Sequence, residues 1–192
     1  MANARIEAEI MGERLILATA PGLFSPGHVD YGTLAMLSVA AFEPGMKVMD
    51  LGCGCGVVGI LAAKKCGAEN VVMADIDPVA VEIARRNAES NGVPGVACVV
   101  SDGFAQVDAA GFDLILSNPP YQSDFAVAKA FIEKGFNRLK TGGRMLMVTK
   151  RLAWYRNKLR AIFGGIRVRE IDGYYVFEAQ KRSPSYANRR QK

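Results

Sequence analysis

Lys47-Val48-Met49-Asp50-Leu51-Gly52-Cys53-Gly54-Cys55-Gly56 is the stretch that decides how the rest of the chain is read. Residues 47–51 read as a strand, three alternating glycines follow, and Val57–Cys66 continues as a helix. A glycine loop between strand and helix lets backbone approach a ligand and aims helix-start N–H groups at it. Working outward, residues 70–75, 96–101, 112–117 and 144–149 read as further strands. Residues 78–90, 125–139 and 152–163 read as helices, the first opened by Pro78 at a favoured first-turn position. Residues 167–171 and 174–180 flank Asp172-Gly173, a hairpin signal. Strands and helices alternating at this spacing give an α/β fold with a mainly parallel sheet, into which the final hairpin inserts one antiparallel strand. Upstream, residues 6–9 and 14–19 pair as a short hairpin, residues 21–27 form a loop, and Asp30 or Thr33 caps a helix over 34–42.

The expected organisation is a single domain over residues 1–182. Residues 1–43 supply a hairpin, a lid and a first helix, residues 44–182 form the core, and 183–192 form a frayed basic tail. Half of the 192 residues are hydrophobic and 22% are charged, enough for a sizeable core and too apolar for wholesale disorder. No apolar run nears the roughly 20 residues of a membrane span. The first residues carry Glu7, Glu9 and Glu13 rather than an apolar signal core, so a cytoplasmic location is expected. Cys53, Cys55, Cys66 and Cys98 lack the paired spacing of a zinc site, and the one histidine is His28; the thiols read as small apolar filler.

The dinucleotide fingerprint G-x-G-x-x-G would need glycine where Val57 stands. Asp50, at the strand end, suits a cationic amino group and would repel a pyrophosphate. Both points favour S-adenosylmethionine over NAD, cradled by Gly52, Cys53, Gly54 and Gly56. The next strand ends in Asp75-Ile76-Asp77-Pro78. Asp75 is the expected partner of the ribose hydroxyls. Asp77 is the expected helix cap, and Ile76 packs either on an adenine face or in the core. In Ser101-Asp102-Gly103-Phe104, Asp102 is placed to accept from an adenine amino group, with Gly103 and Phe104 as the adjoining wall.

Asn118-Pro119-Pro120-Tyr121 follows the strand 112–117 and so belongs at a carboxyl end, where open α/β sheets keep their ligands. Methyl transfer from a sulfonium needs alignment more than acid–base chemistry. The acceptor is the harder partner, because an aromatic or amide NH2 delocalises its lone pair. The Asn118 side-chain carbonyl and the Pro119 backbone carbonyl, aimed at its hydrogens, localise that pair. Pro119 and Pro120 stiffen the loop, and the Tyr121 ring offers a stacking surface for a planar base.

The ordered set Asp50–Gly56, Asp75, Asp102 and Asn118–Tyr121 resembles the class I S-adenosylmethionine-dependent methyltransferases that methylate amines. The nearer resemblance is to the small-domain methyltransferases, among them the ribosomal RNA guanine-N2 methyltransferases, and it spans roughly residues 15–182. Gly22-Leu23-Phe24-Ser25 with Asp30, and the strand Gly173-Tyr174-Tyr175-Val176-Phe177, support it. The resemblance implies a Rossmann-like core with a seven-stranded sheet and helices on both faces, S-adenosylmethionine as cofactor, and Phe24, Ser25 and Asp30 as a cofactor lid. The ribosomal guanine enzymes carry a second, degenerate copy of the domain, for which 192 residues leave no room; target choice by that copy is not inherited.

Charge points to the partner. Residues 1–137 hold 9 Lys/Arg and 16 Asp/Glu, a net of −7, whereas residues 138–192 hold 15 Lys/Arg and 3 Asp/Glu, a net of +12. A basic end on an acidic body fits a polyanion, with RNA (ribosomal RNA in the reading the resemblance implies) ahead of a merely solvated tail. Lys150, Arg151 and Trp154 are the expected substrate contacts, with Trp154 equally readable as core. The expected activity is N-methylation of an exocyclic base amine in RNA, guanine N2 foremost. Its rivals are a glutamine-amide methyltransferase, a DNA adenine methyltransferase, and a non-catalytic RNA-binding module.

Overall fold

The computed structural model describes residues 4–20, 22, 27–119 and 125–187. Strands β1 (Ala4–Ile10) and β2 (Glu13–Thr19) form an antiparallel hairpin, and α1 (Tyr31–Leu37) follows. The core then runs β3 (Val48–Leu51), α2 (Val57–Cys66), β4 (Val71–Asp75), α3 (Pro78–Ser90), β5 (Ala97–Val100), β6 (Phe112–Ser117), α4 (Phe125–Arg138), β7 (Leu139–Thr149), α5 (Leu152–Phe163), β8 (Ile166–Ile171) and β9 (Tyr174–Gln180). The seven core strands lie in the order β5-β4-β3-β6-β7-β9-β8. All pair parallel except β9, which runs antiparallel to both β7 and β8. Asp172 and Gly173 make the β8–β9 turn at φ 49° and 77°, the left-handed pair that a two-residue hairpin turn needs.

Strand side chains alternate between two cores. Val48, Leu114, Leu116, Leu146 and Val148 face one core with α1, α2, α3 and the hairpin. Met49, Leu51, Ile115, Met145 and Met147 face the other with α4 and α5. By the same alternation Asp50 lies on the α2 side of β3. The order in which strands are added to the sheet reverses between β3 and β6, so a crevice opens at their carboxyl ends, the usual ligand site of such sheets.

Several boundaries differ from the sequence reading. The first helix is Tyr31–Leu37 rather than 34–42, because the Asp30 carboxylate accepts from Thr33 N at 2.9 Å and starts it early. Val39, Ala40 and Phe42 continue the apolar pattern as packed coil rather than helix. Thr141-Gly142-Gly143, a turn by sequence leading into the strand 144–149, is absorbed as an irregularity inside β7, between the partners Phe112↔Leu139 and Leu114↔Arg144. Lys181 closes it: its Nζ donates to Leu139 O at 2.7 Å, and its backbone pairs with Gly142 and Gly143. The expected frayed tail is partly docked. Tyr186 donates to Glu133 O at 3.1 Å and packs edge-on against Phe136.

Gly143 is held by geometry. A Cβ there would stand 2.6 Å from Phe112 O and 3.0 Å from Lys140 O, backbone atoms that cannot rotate away. Gly143→Ala is expected to cost roughly 1–3 kcal/mol by overpacking. Gly95→Ala, whose Cβ would only touch Ala68 at 3.5 Å, is expected to be near neutral. Urea unfolding of the two variants checks the contrast.

Candidate functional site

A cavity of about 350 Å³ occupies the crevice, within the size range of small-ligand sites. The carboxyl ends of β3, β4 and β5, the glycine loop, the start of α1, Asn118 and two residues of α4 line it. The loop is tied down from several directions. Gly52 N and Cys53 N donate to Ala74 O at 2.8 and 3.0 Å, and Gly54 N donates to Asp75 Oδ2 at 2.9 Å. Gly52, Gly54 and Gly56 have φ of 78°, 53° and 91°, values a β-carbon would strain.

Asp50 is buried on the cavity wall and accepts from Gly59 N at 2.8 Å. Gly59 is the third residue of α2, so its N–H has no partner within the helix, and the N-cap residue Gly56 offers no side chain. Asp50 therefore supplies from β3 the acceptor that the helix start lacks. Burial raises its pKa to about 7; the Gly59 bond pulls the other way, and the neighbouring Asp75 charge adds to the rise.

Asp75 binds Gly54 N through Oδ2 and Asp77 N, at 3.0 Å, through Oδ1. A carboxylate offers about four acceptor positions, so two more hydroxyl hydrogens can be taken on the cavity side. Asp77 caps α3 by accepting from Val79 N at 2.8 Å. Ile76 lies on the cavity and is 67% exposed, as a flat apolar shelf rather than core. Asp102 and Gly103 line the cavity. Phe104 does not: it is 3% exposed in the α4–α5 core, with the cavity wall there formed instead by Val127 and Phe131. Gly56 is also off the cavity wall, close-packed against Ala84, Ile60 and Met73. Burial pushes the thiols of Cys53 and Cys55 up, the latter to about 11, so both are neutral wall atoms at ordinary pH. Among the described residues no three His, Cys, Asp or Glu side chains gather as a metal site.

The acceptor side shows a link that sequence spacing hides. Asn118 Nδ2 donates to Asp30 Oδ2 at 2.8 Å and to Thr33 Oγ1 at 3.0 Å. Asp30 thus caps α1 and orients Asn118 together. With both amide hydrogens committed, the carboxamide plane is fixed and its acceptor capacity sits wholly on Oδ1. Pro119, the next residue, is buried. Phe24, Ser25, Pro120 and Tyr121 lie outside the described residues.

Lys150 and Arg151 leave β7 at its carboxyl end. Lys150 Nζ lies 4.8 Å from the Tyr174 ring centre, and the Arg151 guanidinium 5.0 Å from that of Phe125. Trp154 is half-buried and stacks on Phe125 with centroids 4.4 Å apart. Phe125, which the sequence reading passed over, therefore ties the start of α4 to α5 and accounts for much of Trp154's contact. The basic excess is also partly internal. Lys140, Arg144, Lys158 and Arg169 pair with Asp113, Glu178 or Glu133; Arg138 binds two carbonyls; Lys181 is buried. Lys150, Arg151, Arg156, Arg160 and Arg167 are exposed and make no ion pair among the described residues.

The model of the methyltransferase small domain matches residues 14–178. The ribosomal RNA small subunit methyltransferase C of Hahella chejuensis is 36% identical over 160 residues, covering 81% of this chain and 46% of that protein. The chain thus spans about half the length of that relative and of the Pseudomonas putida proteins of the same name. The uncharacterized protein YbxB of Bacillus subtilis is 33% identical over 167 residues, 83% of either chain. The structure of a Thermus thermophilus 16S rRNA N2 methyltransferase, in complex with AdoMet and guanosine, superposes with a TM-score of 0.86 at 27% identity. It covers 95% of this chain, which spans 52% of that one. The strand order and the single antiparallel strand are those of the class I methyltransferase fold, and the chain belongs to the methyltransferase small-domain family.

Proposed function

We propose that this protein methylates an exocyclic amine of an RNA base, guanine N2 of ribosomal RNA, using S-adenosylmethionine. The observation that carries the reading is the Asp30–Asn118–Thr33 clamp beside a cavity whose acidic residues suit that donor. A cavity of about 350 Å³ with Asp50 on one wall and Asp75 on another offers a carboxylate for an α-amino group and acceptors for two ribose hydroxyls. Asp75, already committed to Gly54 N, keeps the loop and the ribose position in register. The donor supplies an electrophilic methyl on a sulfonium with a neutral thioether as leaving group. Asn118 Oδ1 and Pro119 O receive the hydrogens of the attacking NH2, so its lone pair points along the line of attack. The extra proton leaves the nitrogen after the N–C bond forms, which spares the site a general base. Tyr121 stacks the base, and Lys150 and Arg151 at the rim bind phosphates. A paired base must be flipped out to reach Asn118. Relatives named for ribosomal RNA support this substrate, and such a substrate implies a cytoplasmic enzyme. None of the helices among the described residues is long and apolar enough to cross a membrane.

S-adenosylmethionine is expected to raise the melting temperature while NADH does not; the reverse pattern overturns the donor. Tritiated methyl transfer to ribosomal RNA, free and assembled, should yield N2-methylguanosine on nucleoside analysis. Label in the protein fraction instead defeats the RNA reading. Asn118→Ala is expected to retain donor affinity and lose about 10²–10³ in turnover. Asp30→Ala should lower kcat in the same direction without changing which nucleoside forms.

Asp50 gives a pH signature. Its raised pKa in the ligand-free protein means that its contribution to stability is full below 3.8 and is lost as pH rises through about 7. Pairing with a cationic amino group requires the ionised form. Donor affinity is therefore expected to rise as pH climbs through about 7 and to fall again above about 8, where an α-amino group loses its proton. Calorimetric titration of Asp50→Asn should show weaker binding without that rise.

A further inference from the structure

Asn87 lies in the last turn of α3 with 2% of its surface exposed, outside the cavity lining. Its carboxamide makes three hydrogen bonds to backbone. Oδ1 accepts from Ala18 N at 2.8 Å, and Nδ2 donates to Ala18 O and to Cys55 O, both at 2.9 Å. Ala18 belongs to β2 and Cys55 to the glycine loop. Asn91, at the end of the same helix, repeats the first half of this pattern. Its Oδ1 accepts from Ile16 N at 3.0 Å, and its Nδ2 donates to Ile16 O at 2.8 Å and to Asn87 O at 2.7 Å. Four helical residues advance about 6.0 Å and two strand residues about 6.6 Å. Amides at positions 87 and 91 therefore match backbone at 18 and 16 respectively, and α3 pairs with β2 as another strand would. Only Asn87 spends a further hydrogen on the loop.

We propose that Asn87 is a positioning residue of the cofactor site, fixing the Cys55 carbonyl and coupling the docking of the N-terminal hairpin to the shape of the Gly52–Gly56 loop. Two further observations point the same way. The first half of the loop is tied to β4, through Ala74 O and Asp75, and the Asn87 bond ties Cys55, in its second half, to α3. The hairpin itself reaches the cavity, where Ile6 of β1 forms part of the wall. Displacing the hairpin thus removes a wall residue and loosens the loop. The proposal rests on the donor-binding reading above, in that the affinity it tunes is that for S-adenosylmethionine.

Asn91 provides the control. Asn87→Ala and Asn91→Ala each remove a side chain that binds β2 through both N–H and C=O, and both are expected to lower the melting temperature. Only Asn87→Ala releases the loop. Amide hydrogen exchange in the ligand-free protein should accelerate at Gly54 and Gly56 in Asn87→Ala relative to β3, and stay unchanged there in Asn91→Ala. Equilibrium binding of S-adenosylmethionine should weaken about tenfold in Asn87→Ala, the scale of one buried hydrogen bond, and less than twofold in Asn91→Ala. Should Asn87→Ala not fold, the isosteric pair Asn87→Asp and Asn91→Asp replaces it. The first turns a carboxyl oxygen toward Cys55 O and should disturb the loop; the second should not. Equal effects of the two positions, or an undisturbed loop at Asn87, overturn the proposal. The exchange arm uses no ligand, so it decides the loop's dependence on Asn87 even where S-adenosylmethionine fails to bind the wild type, which would defeat the donor reading instead.

Discussion

A carboxylate removed from water is the constraint around which the site is organised. Asp50 sits on β3 where alternation turns it toward α2, and it completes the first turn of a helix whose own cap residue is glycine. That glycine cannot be exchanged for a better cap, because Gly56 holds φ at 91° and is packed against Ala84, Ile60 and Met73. Helix start, loop conformation and buried acid are therefore one arrangement. An isolated buried charge is expensive, and burial alone drives this group toward its neutral form. A cation delivered to the cavity reverses the balance. The donor's charge, in this view, relieves a cost the fold carries in the empty state.

Local sequence carried most of the architecture. The bounds of α2, α3, β6 and α5 follow from apolar periodicity bracketed by Gly, Pro and capping residues, and the structure keeps them. Where two signals competed, sequence was a poorer guide. Residues 38–42 look helical because they are apolar, yet they pack as coil behind a helix that Asp30 had already started. The glycines at 142 and 143 look like a turn, yet a lysine forty residues away folds them into a strand irregularity.

The site was legible in residue types and illegible in couplings. Asp50, Asp75 and Asn118 stand at strand ends, a position that periodicity alone yields. That Asn118 would be oriented by Asp30, 88 residues earlier, required the tertiary structure. Phe104 shows the opposite error. An aromatic beside a turn acid invites a role as cavity wall, but the turn after β5 carries it into the α4–α5 core, and Phe131 of α4 takes the wall. Net charge overstated the basic surface for a similar reason. Counting does not distinguish an arginine that binds carbonyls from one that faces solvent, and several of the C-terminal cations are internal fastenings.

The N-terminal hairpin has two long sides, and the molecule treats them differently. Along β1, the outward positions are Arg5, Glu7 and Glu9, charged side chains that discourage another chain from adding itself. β2 itself contains Leu15-Ile16-Leu17-Ala18, an apolar β-forming segment with no charge of its own and the kind that recruits copies into aggregates. Two carboxamides occupy its hydrogen-bonding positions. Resistance to self-association during synthesis and heating is thus vested in α3, and any condition that peels that helix away bares a sticky template.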